Sequence, residues 1–317
     1  MSTLSKMPFH SEVAAFEYLE STLWPDGAIC PHCGVVGNAT KLRKGVSHDG
    51  SRAARMGLWK CNACRKQFTV KVGTVFEHGR IPLHKMLQAV YLLCCSKKGI
   101  SSHQLHRVLG ITYKAAWFLS HRIREAMRDG KLSPMGGTGS VIEIDETAQG
   151  RIEGAPKRAH RGMGSFGRTV LTLVERGGSA RSFHVEGTTL GQLLPVIRAN
   201  VNRESAVMTD AASWYKQLKA HTGVASHETV AHEKDEYVRY PADGLPLIHT
   251  NTVEGYYSIF KRGMTGVYQH CGEKHLHRYL AEFDFRYSNR VRLGIDDAMR
   301  AEKALKGIVG KRLTYRA

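Results

Sequence analysis

The chain has 317 residues, with 46 Lys plus Arg against 28 Asp plus Glu, giving a formal charge of +18 at pH 7. That length exceeds one ordinary domain and implies about two or three, and the charge implies a polyanionic partner, because phosphates supply most of the affinity in nucleic-acid binding. A ribosome-associated or anionic-membrane role would give the same charge, but the longest apolar run, near Leu87 to Cys95, is too short to span a bilayer and the N-terminus lacks the charged-then-apolar layout of a signal segment, so a cytoplasmic protein is expected.

Residues 11–24 (SEVAAFEYLESTLW) predict an amphipathic helix with Val13, Phe16, Leu19 and Leu23 inward, ended by Pro25-Asp26-Gly27. Together with the preceding residues they make an N-terminal helical segment, 1–25. Cys30-Pro31-His32-Cys33 and Cys61-Asn62-Ala63-Cys64 follow. Each CxxC turns two thiolates toward one ion, and two such knuckles a hairpin apart close a tetrahedral Zn²⁺ site. Residues 26–76 therefore predict a zinc ribbon with one structural Zn²⁺, its strands around Trp59-Lys60 and Gln67 to Val70. Cys94, Cys95 and Cys271 lack partner spacing and are expected to pack. Residues 73–80 form a polar, glycine-punctuated boundary.

From residue 80 to 128 the pattern is helical. Pro82 opens one helix to Cys95; Ser101 or Ser102 caps a second with Leu105, Val108 and Leu109; Thr112 caps a third with Ala116, Leu119, Ile123 and Met127 inward. Two helices joined by a short glycine-containing turn fit a helix-turn-helix. Tyr113, Lys114, His121, Arg122 and Arg124 are expected on its outer face, toward DNA. A helical bundle with a solvated basic face is the competing interpretation.

Residues 129–140 (DGKLSPMGGTGS) predict a linker. Beyond it the period changes to strands. Val141 to Asp145 is a strand ending on aspartate. Residues 151–167 are a glycine-rich basic loop whose Lys157, Arg158 and Arg161 are further DNA-contacting candidates. Strands at Arg168 to Val174 and Arg181 to Val185 follow, then a helix from Thr188 to about Val201, a strand Ala206 to Asp210 again ending on aspartate, a short helix at 213–221, and a strand near Ser226 to His232. A helix capped by Thr250 or Asn251 carries Glu254, Tyr257 and Lys261 on one face, and a long helix from Glu273 to about Arg290 comes last. Residues 301–317 are expected to be a basic tail.

Three strands, a helix, a strand and then helices is the order of an RNase H-like α/β domain, here 141–300. The first and fourth strands of that fold are neighbours, so Asp145 and Asp210 approach each other and a helix-borne carboxylate completes the set. Hard oxygen ligands suit Mg²⁺ or Mn²⁺, and a pair of such ions serves phosphodiester cleavage. Glu143 and Glu146 compete for the part given to Asp145.

These blocks carry a resemblance. The knuckles, EIDET, MTDAASWY, HTNTVEGYYSIFKRGMTGVYQHCGEKHL and YLAEFDFRYSNR together resemble bacterial insertion-sequence transposases of the DDE class, in particular the ISXO2-like (IS1595) group with an N-terminal zinc ribbon. The resemblance implies cleavage of DNA strands at element ends and their joining to target DNA, two Mg²⁺ (or Mn²⁺) ions, a homo-oligomer acting on the element's terminal inverted repeats, and a place at the bacterial nucleoid. Carried over, the catalytic carboxylates are Asp145, Asp210 and Glu254, which would also be the Mg²⁺ ligands, with Lys261 as the associated lysine; Asn251 is the alternative third ligand. A DNA-binding regulator and a metal-dependent nuclease are the alternatives from other functional classes.

Overall fold

The protein is described from a computed structural model covering residues 3–42, 56–130, 132–152, 154, 167–241 and 246–314. It divides into two compact units, Met1–Arg128 with Ile295–Ala317, and Asp129–Gly294.

In the first unit, helix α1 (Glu12–Leu23) is capped by Ser11, whose Oγ accepts from the Ala14 N–H at 3.4 Å. It buries Ala15, Phe16, Leu19 and Glu20. Val13, expected inward, is 50 % exposed, because Ala15 and Leu19, one turn apart, set the buried face and leave Val13 beside it. Glu20 is tolerated inside because it accepts from Lys41 Nζ at 2.6 Å and Trp59 Nε1 at 2.9 Å. Strands β1 (Ala39–Lys41), β2 (Trp59–Cys61) and β3 (Gln67–Phe68) form an antiparallel ribbon in that order. Its small core of Ala28, Cys30, Cys61 and Phe68 is walled by Trp24 and Trp59.

Helices α2 (Leu83–Cys95), α3 (Ser102–Leu109) and α4 (Tyr113–Met127) follow. Pro82 is the N-cap of α2 rather than its first residue. The free N–H groups there are met by Glu12, whose carboxylate accepts from Leu83 N at 2.8 Å and His84 N at 3.1 Å. Helix α3 ends at Gly110, which takes φ +58°, and Val108, expected in the core, is 57 % exposed. The C-terminal residues are not a tail. Asp296 caps a helix, Asp297–Lys306, that packs on α1, α2 and α4; it buries Ala301, Ala304 and Leu305, with Ile308 beyond its end. Arg300 is buried with it, donating to Cys94 O at 2.9 Å. The supposed boundary at 73–80 is likewise built in: Thr74, Val75 and Phe76 are buried, and Val75 N donates to Ile308 O at 3.1 Å.

The second unit is a five-stranded sheet. Its elements are β4 (Val141–Gln149), β5 (Arg168–Glu175), β6 (Ala180–Val185), α5 (Leu190–Asn200), β7 (Ala206–Asp210), α6 (Leu218–Thr222), β8 (Ser226–Val230), α7 (Asn251–Gly263) and α8 (Glu273–Ser288). The strand order is β6-β5-β4-β7-β8, antiparallel among the first three and parallel from β4 to β8. The first and fourth strands of the unit therefore lie side by side, as the RNase H-like fold requires. Ile142, Ile144, Leu171 and Leu173 face α5 and α6 on one side. Val170 and Val174 face Val253, Tyr256, Phe260, Leu276 and Phe283 of α7 and α8 on the other. The expected linker 129–140 is partly core: Met135 is 3 % exposed and hydrogen-bonds the backbone of Asn200 and Asn202 at the end of α5.

Candidate active site and metal centres

The ribbon cysteines meet. Cys30, Cys33, Cys61 and Cys64 bring their sulfurs within 4.8 Å of one another, with 3.6 Å separating Cys30 from Cys64 and Cys33 from Cys61. Four thiols at that spacing fit a tetrahedral Zn²⁺. The Cys64 backbone N–H, directed at the Cys61 sulfur, holds that thiol down to about 7, which favours the thiolate that metal binding needs. Cys61→Ser should eliminate the zinc measured in the purified protein and unfold the ribbon, since metal binding supplies much of the folding energy of such modules; purified unsubstituted protein free of zinc would contradict the assignment.

The helix-turn-helix residues sort differently from expectation. Tyr113 is 45 % exposed and Lys114 is exposed at the start of α4. His121, Arg122 and Arg124 are buried, at 0 %, 8 % and 1 % exposure. The C-terminal helix packs on α4, and the burial of these three side chains means they form no outer face. Arg122 lies 4.5 Å above the Phe118 ring, and its pKa is lowered by burial; Arg124 donates to Ser120 Oγ at 3.0 Å. The solvent-facing polar surface of the motif is instead His103, Gln104 and Arg107 on α3 with Tyr113 and Lys114 on α4, where His103 stacks on Tyr113 at 4.3 Å. Lys157, Arg158 and Arg161 lie outside the described residues.

In the sheet, the parallel ladder between β4 and β7 runs Val141↔Ala206, Ile142↔Val207, Glu143↔Met208. Continued by two residues, the same register puts Asp145 opposite Asp210. Period-2 alternation places both on the face covered by α7. Asp145 is not the end of its strand, as expected; β4 runs on to Gln149 because its pairing with β5 continues that far. What ends near Asp145 is the ladder to β7, so the two strands part where the aspartates stand.

Asp145 Oδ1 accepts from the Glu146 N–H at 2.8 Å, and Asp210 Oδ1 from the Ala212 N–H at 3.1 Å. Glu254 Oε1 accepts from Thr250 Oγ1 at 3.1 Å and lies 3.3 Å from His232 Nε2. Burial, then the charges of Glu146, Asp210 and Glu254, push the Asp145 carboxyl up to about 7. Burial raises Asp210 too, with His232 opposing. Asp210 and Glu254 thus both stand within electrostatic reach of Asp145. Among the described residues only the four cysteines bring three or more such ligand atoms within 4.8 Å of one another; the three carboxylates do not close to that spacing. Their donor set, hard anionic oxygens with a surplus of negative charge, fits Mg²⁺ or Mn²⁺.

The remaining candidates separate by position. Glu146 points to the opposite face of the sheet, accepting from Trp214 Nε1 at 2.9 Å and from Tyr215 Oη. Glu143 is fully buried and bonded to the first turn of α7. Neither Thr250 nor Asn251 caps that helix through its side chain, the expectation from sequence; Glu143 does so. Asn251 is exposed at the first position of α7, its N–H donating to His249 Nδ1 at 3.3 Å. Lys261 is exposed, with Nζ 5.9 Å from the Tyr257 ring, and Tyr257 Oη reaches Asp145 O at 2.6 Å. His232 and His249 were missed from the sequence: His232 closes the predicted strand from Ser226 and His249 precedes the helix with no motif around it, and only the fold brings them to Glu254 and Glu143. The side chosen for Glu146 was legible, since alternation along β4 sets it apart from Asp145.

The raised Asp145 pKa gives a stability prediction. An acid whose folded pKa lies above its unfolded value costs the native state stability as pH rises from about 4 to about 7, and the cost is full above that. In divalent-free buffer, Asp145→Asn should therefore raise the unfolding free energy at pH 8 by about 2–4 kcal/mol and have little effect near pH 4. Millimolar Mg²⁺ or Mn²⁺ should narrow the difference by stabilising the unsubstituted protein. A pH-independent difference in urea titrations would contradict this.

Residues 137–288 match the ISXO2-like transposase domain and residues 10–67 the transposase zinc-ribbon domain of the IS1595 family. The chain is 26 % identical over 291 residues to a protein in transposable element ISH50 of Halobacterium salinarum, covering 88 % of this chain and 91 % of that one. A chain in the crystal structure of the Mos1 strand transfer complex aligns with 12 % identity over 69 % of this chain and 73 % of that one, at a TM-score of 0.25. No helix among the described residues is long and apolar enough to cross a membrane. The chain thus carries both the ISXO2-like transposase domain and the transposase zinc-ribbon domain of the IS1595 family.

Proposed function

We propose that this transposase cleaves DNA at the ends of its element and joins the freed ends to target DNA by divalent-metal-dependent transesterification at Asp145, Asp210 and Glu254. The observation that carries this reading is the β4–β7 register, which brings two aspartates 65 residues apart to one point on the sheet, with Glu254 of α7 acting on the same carboxyl. Two Mg²⁺ or Mn²⁺ ions bound there would activate the attacking hydroxyl and stabilise the leaving oxygen of the phosphodiester. The chain's own part is to hold three carboxylates in a fixed triangle. Asp145 and Asp210 are held by backbone N–H groups of the residues beside them, and Glu254 by Thr250. Tyr257 Oη, bonded to the Asp145 carbonyl, ties α7 to the centre of the sheet.

Lys261, two turns beyond Glu254 and open to solvent, is in a position to bind a phosphate beside the reacting one. The ribbon and the exposed face of α3 and α4, with His103, Arg107, Tyr113 and Lys114, are the surfaces we assign to the terminal inverted repeats, where cationic side chains displace counterions and Tyr113 and Lys114 stand at the start of the recognition helix. Assembly as a homo-oligomer on DNA belongs to the same reading.

Asp145→Asn and Asp210→Asn should each lower strand cleavage of an element-end duplex by more than about 100-fold, the loss of a ligand charge at a reacting centre, while retention of that duplex in a gel shift persists. Glu254→Gln should do the same, Asn251→Ala should do less, and Lys261→Ala should lower cleavage while Mn²⁺ still binds. Normal cleavage by Glu254→Gln with an inactive Asn251→Ala would transfer the third position to Asn251. Cleavage by all three carboxylate variants would refute the site.

A further inference from the structure

Glu143 is the most completely enclosed carboxylate near the site, with 0 % exposure, and the chemistry just described gives it no part. Its contacts all run to one segment of chain and the strand that supports it. Oε2 accepts from Thr252 N at 2.7 Å and Val253 N at 2.9 Å. Oε1 accepts from Thr252 Oγ1 at 2.7 Å and Arg176 Nε at 2.6 Å, and lies 3.1 Å from His249 Nδ1. The Arg176 guanidinium also donates to Leu247 O at 2.5 Å and His249 O at 2.9 Å. A buried carboxylate and a guanidinium therefore grip the chain from Leu247 to Val253, which is the approach to α7 and its first turn.

A carboxylate at a helix N-terminus is favourable because it meets free N–H groups and the positive end of the helix dipole. Most such caps come from the residue just before the helix; here the cap comes from another element, 109 residues upstream. Its position is specific. Glu143 precedes Asp145 by two residues on the same face of β4, and Thr252 precedes Glu254 by two residues on α7. The cap thus joins the strand that carries Asp145 directly to the turn that carries Glu254. A second tie one turn on, Tyr257 Oη to Asp145 O, and the packing of Val253 and Phe260 keep the helix on the sheet even if the cap is lost.

We propose that Glu143 is a positioning residue that sets where Glu254 stands relative to Asp145, so that divalent-cation affinity depends on a carboxylate that does not touch the cation. This rests on the reading of Glu254 as the third ligand. Groups that orient metal ligands without binding the metal characteristically change affinity roughly 10- to 100-fold when removed.

The test uses the full chain with Mn²⁺ alone as probe, its free concentration followed by electron paramagnetic resonance. Glu143→Gln keeps the shape and removes the charge. With cooperative melting and zinc content retained, it should weaken Mn²⁺ binding roughly 10- to 100-fold. Cleavage of an element-end duplex should fall at low Mn²⁺ and recover as Mn²⁺ is raised, a recovery Asp145→Asn should not show. In a Glu254→Gln background, Glu143→Gln should cost nothing more, because both changes act through one carboxylate. Unchanged affinity, or a full additional loss in the Glu254→Gln background, overturns the proposal while leaving Glu254 as ligand. Unchanged affinity in Glu254→Gln alone overturns the ligand reading and this proposal with it. If Glu143→Gln does not melt cooperatively, Thr252→Val, which removes one donor to Glu143, takes its place: a smaller loss in the same direction supports the proposal, and unchanged affinity overturns it.

Discussion

The parallel pairing of β4 with β7 is what brings the proposed catalytic aspartates, Asp145 and Asp210, to one end of the sheet. Parallel strands need a long crossover, here β5, β6 and α5, so two residues far apart in sequence become neighbours only when that whole arrangement has folded. Once the ladder forms, its register leaves no freedom: a slip of one residue would turn Asp210 to the α5 side, against Leu193 and Ile197, instead of toward α7. The ladder stops at Glu143↔Met208 while β4 continues beside β5. The aspartates stand where one pairing ends and the other persists, on a rigid strand at the mouth of a widening gap.

Concentrating acids at that point is costly. The Asp145 carboxyl is pushed up to about 7 by burial and by its acidic neighbours, so the metal-free site is set against ionisation at neutral pH. The fold keeps this cost local by giving each nearby acid a different environment. Glu146 is turned away into hydrogen bonds from Trp214 and Tyr215; Glu143 is paired with Arg176 and a helix N-terminus; Asp210 and Glu254 are left to act on Asp145. The first unit uses the same device without the chemistry, Glu12 capping α2 from α1. In both units a carboxylate from elsewhere meets N–H groups that no local cap satisfies.

Much of this was readable before the fold was known, and the reasons differ by region. The cysteine knuckles carry their ligand geometry in their spacing. The strands announce themselves by alternation, and the order of strands and helices was enough to place Asp145 beside Asp210. What failed depended on partners distant in sequence. Arg122 and Arg124 read as an outer face because nothing in residues 80–128 reveals that both side chains are buried or that a helix far along the chain packs on α4. Met135 and Val75 sit in segments whose glycines and polar residues read as connections, yet each is held by backbone hydrogen bonds to residues far along the chain, Met135 to Asn200 and Asn202 and Val75 to Ile308. Glu143 was weighed against Asp145 as a ligand; its bond to the first turn of α7 spans 109 residues and has no local signature.

The most direct measurement is anomalous diffraction from crystals of the full chain grown with Mn²⁺. The account predicts a peak coordinated by both Asp145 and Asp210, at about 2.1–2.2 Å from their oxygens, with Glu254 completing the protein's share of the coordination. A Mn²⁺ peak that leaves either aspartate uncoordinated, or one in which Asn251 takes the third position while Glu254 stands clear, would contradict it.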